Sequence, residues 1–295
     1  MKSSNLPTYG GQAVIEGVMM RGRQTCAIAM RAPDRNIVIH EQPLGGIYKS
    51  RIANIPFLRG LVMLWDAMGL GIRALTISAN LQNNEEEKIE GGSLVISVII
   101  ALVFAISLFF LLPAAVGQLT EDYLGWSTWW GNIFEGIARL IIVIGYIYLV
   151  GRIPDIQRVF AYHGAEHKTI NAFEAGDELT PEEVSKYSVL HPRCGTAFLL
   201  TLVFISIVVF ALIGPLSMHL RLASRLILLP LLAGVAYEYL RWTANKIHSP
   251  LVRLLVWPNL ALQKLTTREP SNDMLEVSIA AFNAMRSGEE PINPV

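Results

Sequence analysis

From Gly91 to Thr120 the chain carries no Asp, Glu, Lys or Arg, and its centre, SLVISVIIALVFAISLFFLL, is almost wholly apolar. About 20 such residues are what an α-helix needs to cross the hydrocarbon of a bilayer. Inside lipid every backbone N–H and C=O must be paired within the protein, so a span of this kind is a helix or part of a closed barrel. A chain of 295 residues could make one or two soluble domains, but the rest of the composition follows the span. The chain is 52% hydrophobic and 16% charged, with a mean hydropathy of +0.42, and the apolar residues are gathered into long runs. The expected fold is a mainly α, polytopic membrane protein. A net charge of zero implies no general attraction to nucleic acid or anionic lipid. Two cysteines, Cys26 and Cys194, make no disulfide framework, and the first ninety residues show no signal-peptide pattern.

Three further runs read as spans: Ile133–Val150, Gly195–Met218 and Leu222–Leu240. Pro113 marks the expected end of the first. Glu135 and Arg139, four apart, are placed to pair on one helix face. The loop after the first span holds Trp126, Trp129 and Trp130 without Lys or Arg, as suits a headgroup region. Residues 52–81 are apolar except for Arg59, Asp66 and Arg73, spaced every seven residues along one stripe. Each charge costs ~2.5–3.5 kcal/mol at a bilayer centre, so this segment is expected to lie in the interface or insert halfway. Residues 247–262, punctuated by Pro250 and Pro258, read as interfacial too, and Asn272–Arg286 as a short soluble helix. At the other end, residues 1–12 look frayed. AVIEGVMM, QTCAIAMR and NIVIHEQP then read as a small antiparallel sheet of about three strands. The expected organisation is a β-rich region at 1–50, an interfacial helix and linker at 51–90, a four-span domain at 91–246 with a loop at 152–194, and interfacial and soluble helices at 247–295. Lys and Arg concentrate in the N-terminal ninety residues, the 152–193 loop and the tail, which places both termini in the cytoplasm.

The chemistry concentrates in RVFAYHGAEHKTINAFE, Arg158–Glu174. On a helix His163 and His167 lie one turn apart on one face, with Glu166 about 60° to the side of His163. Glu174 returns to that face two turns on, and Asn171 lies next to it. The H-x-x-E-H spacing is that of inverzincin metalloproteases, whose histidines bind zinc while the glutamate activates water. A third ligand is expected from His191 or Cys194 in the HPRCGT entry to the third span, leaving a fourth position open as catalytic zinc sites do. Glu166 is the candidate general base, with Glu174, Asn171, Glu238 and Glu16 as candidate neighbours of the site. Glu238 is included because an ionisable group inside a span usually faces a cavity or partner.

GGQAVIEGVMMRG, AYHGAEHKTINAFE and HPRCGTAFL together resemble the DUF1385, or YqhQ-like, family of bacterial membrane proteins, from about Tyr9 to about Gln263. The resemblance implies a metal-dependent enzyme of undefined reaction and puts residues 10–22 in the shared core, so that Glu16 or Arg21 would line the site. Two functions are expected. One is a membrane-embedded, metal-dependent hydrolase acting at the cytoplasmic face on a membrane peptide or lipid-like substrate. The other is a non-catalytic scaffold, or less readily a transporter, binding an ion or partner through the same residues.

Overall fold

The computed structural model describes residues 9–45, 55–83, 88–89, 91–213 and 216–289. The expected fraying of residues 1–8 and residues 84–87 of the expected linker lie outside them.

Four strands, not three, form the sheet: β1 (Gly10–Val14), β2 (Gly17–Arg21), β3 (Thr25–Arg31) and β4 (Ile37–Pro43), antiparallel in that order. The extra strand comes from AVIEGVMM, which folds back on itself so that Val14 pairs with Gly17. Glu16 takes the left-handed conformation (φ 52°) in the two-residue loop between them, and residues 10–12, expected to fray, are paired in β1. The central strands are apolar without alternation because both faces are covered. Val18, Met20, Ala27 and Ala29 face α5 (Pro154–Ala175) and α11 (Asn272–Ser287). Met19, Cys26, Ile28 and Met30 face α1 (Leu58–Gln82) through Ala74. A one-residue change of face along a strand thus passes from one core to another.

Helix α1 joins this layer to the apolar helices. Its last turns carry Ala74 and Ser78 against the sheet, where Ser78 Oγ accepts from the Ile15 N–H at 3.2 Å. Its first turns meet α9 (Leu229–Asn245), with Gly60 under the Tyr237 ring. Two charges of the expected stripe have protein partners: Arg59 pairs with Glu238 and Arg73 reaches Gln42 at 3.4 Å, while the Asp66 side chain lies outside the described ones. By length and composition α1 qualifies as a crossing helix.

The helix of the uncharged run is longer than expected. It continues from α2 (Gly91–Ile106) through a π-helical turn at Ser107–Leu111 into α3 (Leu112–Leu124), so Pro113 does not end it. The wider π turn absorbs the missing proline N–H. The Phe109 carbonyl, four residues before Pro113, accepts instead from Arg139 Nε at 3.0 Å. Helices α4 (Thr128–Val150) and α7 (Gly195–Leu212) follow the expected runs. The fourth run is broken: α8 (Met218–Ile227) meets α9 at a 43° bend. Among the described residues four helices are long and apolar enough to cross a membrane, or five if the bent pair is one span. Residues 250–266 form one helix, α10, with Pro258 inside it rather than an interrupted segment.

Charges buried among these helices are paired. Glu135 accepts from Arg139 at 2.8 Å and from both Nε and Nη2 of Arg225 at 2.9 and 2.7 Å. Arg225 also bonds Asn132 and lies over the Phe210 ring. Such full satisfaction is what an ion cluster needs where water is excluded.

Candidate metal centre

The polar helix is a separate element and not an extension of the second span. The chain leaves α4 at Gly151, and Pro154 starts α5 with Asp155 in its first turn. Gly176, in the left-handed conformation (φ 87°), ends it. The helix is pressed closely into its surroundings: at Gly164 a side chain would strike the Arg268 carbonyl. That contact explains a glycine beside His163.

Helix α5 organises the loop that follows. Lys168 Nζ donates to the carbonyls of Ser185 and Tyr187 at 2.7 and 2.6 Å, and Asn171 Nδ2 to those of Ser188 and Leu190 at 2.9 and 3.1 Å. A short helix, α6 (Pro181–Val184), starts within it, with the Thr180 hydroxyl accepting from the Glu183 N–H. Gln263, fully buried on α10, clamps His191 by its backbone: Oε1 accepts from His191 N–H at 3.0 Å and Nε2 donates to its carbonyl at 2.8 Å. Two turns of anchoring therefore deliver the HPRC segment to the face of α5, and Cys194 caps the first turn of α7.

The ligand-type atoms of His163, His167 and Cys194 lie within 4.8 Å of one another. Their protonation follows from their partners. His163 Nδ1 lies 2.9 Å from the Thr266 carbonyl and His167 Nδ1 2.6 Å from the Val189 carbonyl. A carbonyl only accepts, so both Nδ1 atoms carry hydrogen, and in the neutral rings both Nε2 atoms present lone pairs. His163 Nε2 is 3.1 Å from Cys194 Sγ. His167 Nε2 is buried and makes no hydrogen bond of good geometry; burial lowers the pKa of that ring, against the nearby Cys194 thiol, which acts the other way.

His191 stands beside this group rather than in it. Its ring centroid is 5.8 Å from that of His167. Its Nδ1 faces the Arg193 N–H at 3.4 Å, and its buried Nε2 lies 3.7 Å from Glu174. Between the two third ligands the sequence left open, the structure brings Cys194 to the histidine pair and sets His191 behind it. Burial lowers the pKa of His191 as well. Glu174 is ion-paired with Arg193, and Asn171 holds the loop.

Glu166 is buried under the sheet. Gly11 of β1 is packed against it: a Cβ on Gly11 would lie 2.9 Å from Glu166 Cγ and 2.6 Å from the Met19 carbonyl. Burial raises its pKa, while His163, His191 and the Gly11 N–H act in the other direction. The N-terminal motif thus reaches this carboxylate through Gly11. Glu16 is turned to Arg158, at 2.5 and 2.6 Å, and to Tyr162 at 3.3 Å. Glu238 is likewise spoken for, by Arg59 on α1 at 2.6 Å and by the Phe57 N–H, and does not close the site from the fourth span. Gln263, Thr266 and Lys168 had no sequence signal of their own: each meets its partner through a backbone group that only the fold brings near.

The model of a family described as "Protein of unknown function (DUF1385)" matches residues 55–287. The "Uncharacterized protein YqhQ" of Bacillus subtilis (strain 168) is 36% identical over 295 residues, covering 95% of this chain and 92% of that protein. No solved structure matches. The chain belongs to the DUF1385 family.

Proposed function

We propose that this DUF1385 protein is a multi-pass membrane protein that binds a divalent metal, zinc by its donors, through His163, His167 and Cys194, and acts as a hydrolase. The carrying observation is the pair of Nδ1–H groups committed to backbone carbonyls, which turns both Nε2 lone pairs toward one thiol and leaves that of His167 buried and unpaired. Carbonyl-oriented histidines are characteristic of metal ligands, and a buried acceptor without a partner costs ~1–3 kcal/mol unless something occupies it. Two nitrogens and a sulfur suit zinc. Bound there, the metal would supply Lewis-acid chemistry. Glu166, its charge disfavoured by burial, would accept and return a proton at its carboxylate, with Gly11 of β1 packed closely against its side chain. The concentration of Lys and Arg in the 152–193 loop supports placing the site at the cytoplasmic face, where a membrane peptide or lipid-like substrate would meet it.

The burial of Glu166 under β1 also favours a second reading, in which the metal ties α5 to α7 as a structural site in a non-catalytic scaffold. Metal analysis of the detergent-purified protein tests both. About one metal per chain is expected for the wild type and none for His163→Ala with His167→Ala; a metal-free wild type would sink either reading. Glu166→Gln should keep the metal and abolish hydrolysis of membrane peptides or lipid esters in the hydrolase. A scaffold would keep the metal and hydrolyse neither before nor after the change.

A further inference from the structure

The two edges of the sheet are built differently. Strand β4 carries Glu41 and ends on Pro43, whereas β1 has neither charge nor proline. Charge, proline or a covering element is how an edge strand is usually kept from pairing with another chain. The register tells which groups β1 holds out. Val14 and Gly17 close a two-residue hairpin, so residues 10, 12 and 14 bond β2, and residues 11 and 13 turn their N–H and C=O outward. The bond from the Arg31 N–H to the Glu16 carbonyl fixes the same alternation on the far side of β2. Among the described residues the carbonyls of Gly11 and Ala13 and the N–H of Ala13 have no hydrogen-bond partner. One step on, the Ile15 N–H is taken by Ser78, which closes the edge. Gly10 and Gly11 are exposed.

This open stretch lies beside the candidate metal centre. Ala165 of α5 shares a core with Val18 and Met20 of β2, and Glu166 packs on Gly11 of β1. At ~100° per residue, Glu166 is one step round the helix from Ala165, and His163 and His167 lie about 60° and 100° further in the same direction. The order across the molecule is therefore β2 over Ala165, β1 over Glu166, and then the histidine face, beyond the last strand of the sheet. A strand added to β1 would lie ~4.8 Å outside it. On a helix 10–12 Å across, 60–100° is roughly 5–10 Å of surface. The added strand would run over His163, which is partly exposed where His167 and Cys194 are buried.

We propose that the substrate is a peptide, held extended along Gly11–Ala13 as one more strand of the sheet, with the bond to be cut above Glu166 and His163. This rests on the hydrolase reading and names its substrate class: a peptide, and not a lipid ester. An extended backbone offers N–H and C=O groups at the two-residue repeat of an edge strand, ~7 Å apart; an acyl chain has neither. The peptide C–N bond breaks and its carbonyl carbon takes the hydroxyl of a water. The other proton of that water, accepted by Glu166, passes to the leaving nitrogen.

The test uses the full chain in detergent with zinc added, and three probes. Acetohydroxamate engages metal alone, a mixed-sequence pool of acetyl-tetrapeptide hydroxamates can also pair with the edge, and the same pool methylated on alternate backbone nitrogens cannot. Binding is read by affinity selection and mass spectrometry, with metal measured on the same samples. Members of the plain pool should bind about tenfold more tightly than acetohydroxamate or better, and methylation should remove that gain, as expected for the loss of two hydrogen bonds. Ala13→Pro, which takes away one outward N–H and leaves the β1–β2 bonds, should lower the plain pool to the same level. Equal binding of plain and methylated pools to the wild type overturns the proposal even if the variant fails to fold. So does a plain pool no better than acetohydroxamate, or a benzophenone on Ala13→Cys that joins two copies of the chain instead of a peptide. Metal bound in those cases leaves the metal centre standing; no bound metal removes the hydrolase reading and the proposal with it.

Discussion

Removing Glu135 should unsettle the apolar helices more than any other single change of equal size. Its carboxylate accepts three hydrogen bonds, one from Arg139 and two from Arg225. The three side chains are 1–3% exposed. Glu135→Leu takes away the one acid that these two guanidinium groups contact among the described residues and leaves both charges buried. Breaking a buried pair from one side costs ~3–5 kcal/mol, since the charge left behind has neither water nor counter-ion. For a chain of this size that is a fall in Tm on the order of 10 °C. The assay is thermal unfolding in one detergent, followed by circular dichroism, for the wild type, Glu135→Leu, and Glu135→Leu combined with Arg139→Met and Arg225→Leu. The triple variant should recover most of the loss, because apolar residues of similar volume carry no desolvation penalty. A drop of less than ~2 °C for the single variant, or a triple variant no better than the single, would refute the reasoning.

At the metal centre, Cys194→Ala should abolish stoichiometric metal while His191→Ala retains it; loss in the second variant would return His191 to the ligand set. Gly11→Ala should cost ~1–3 kcal/mol, the range for forcing a methyl into filled space, because the new Cβ meets the Met19 carbonyl and Glu166. Gly10→Ala, with nothing within 4 Å, should be neutral, and equal Tm shifts for the two would contradict the close approach of β1 to α5. Glu16 is held below the ordinary carboxylate pKa by its hydrogen bond from Arg158. A depressed folded pKa means that the pair's contribution is present above the unfolded carboxylate value and lost as pH falls through the folded one. Glu16→Gln should therefore lower stability modestly at neutral pH and hardly at all in acid, since Arg158 is half exposed. An equal effect at both pH values would refute the assignment.

The helical facts were readable because they are local. His163 and His167 share a face at any backbone position four apart, Thr180-Pro181 declares a helix start, and an uncharged run declares itself. The failures came where a distant partner decides. Glu238 looked like a site residue because an acid in an apolar helix needs an explanation, but its partner, Arg59, lies 179 residues away. The hairpin inside AVIEGVMM went unseen because Ile15-Glu16 has none of the usual turn residues; Glu16 accepts a left-handed backbone at that corner. Whether Cys194 or His191 would complete the histidine pair was undecidable from spacing, since it depends on Gln263 gripping the His191 backbone. Pro113 and Pro258 were read as helix breaks, yet neither ends its helix: a π turn precedes Pro113, and α10 runs on past Pro258.

The layering of sheet and helices also sets an order of events in biosynthesis. Strands β1–β4 leave the ribosome first, but one of their faces is closed by α11, more than 200 residues downstream. At about 5–20 residues per second this face waits for roughly 10–50 s, its Val18, Met20, Ala27 and Ala29 side chains without that cover. The Thr266 carbonyl that aims His163 is made almost as late. Loading of the proposed metal would therefore come late in the life of the chain, and a nascent protein stalled before α10 would carry the whole H-x-x-E-H motif without the finished group around it.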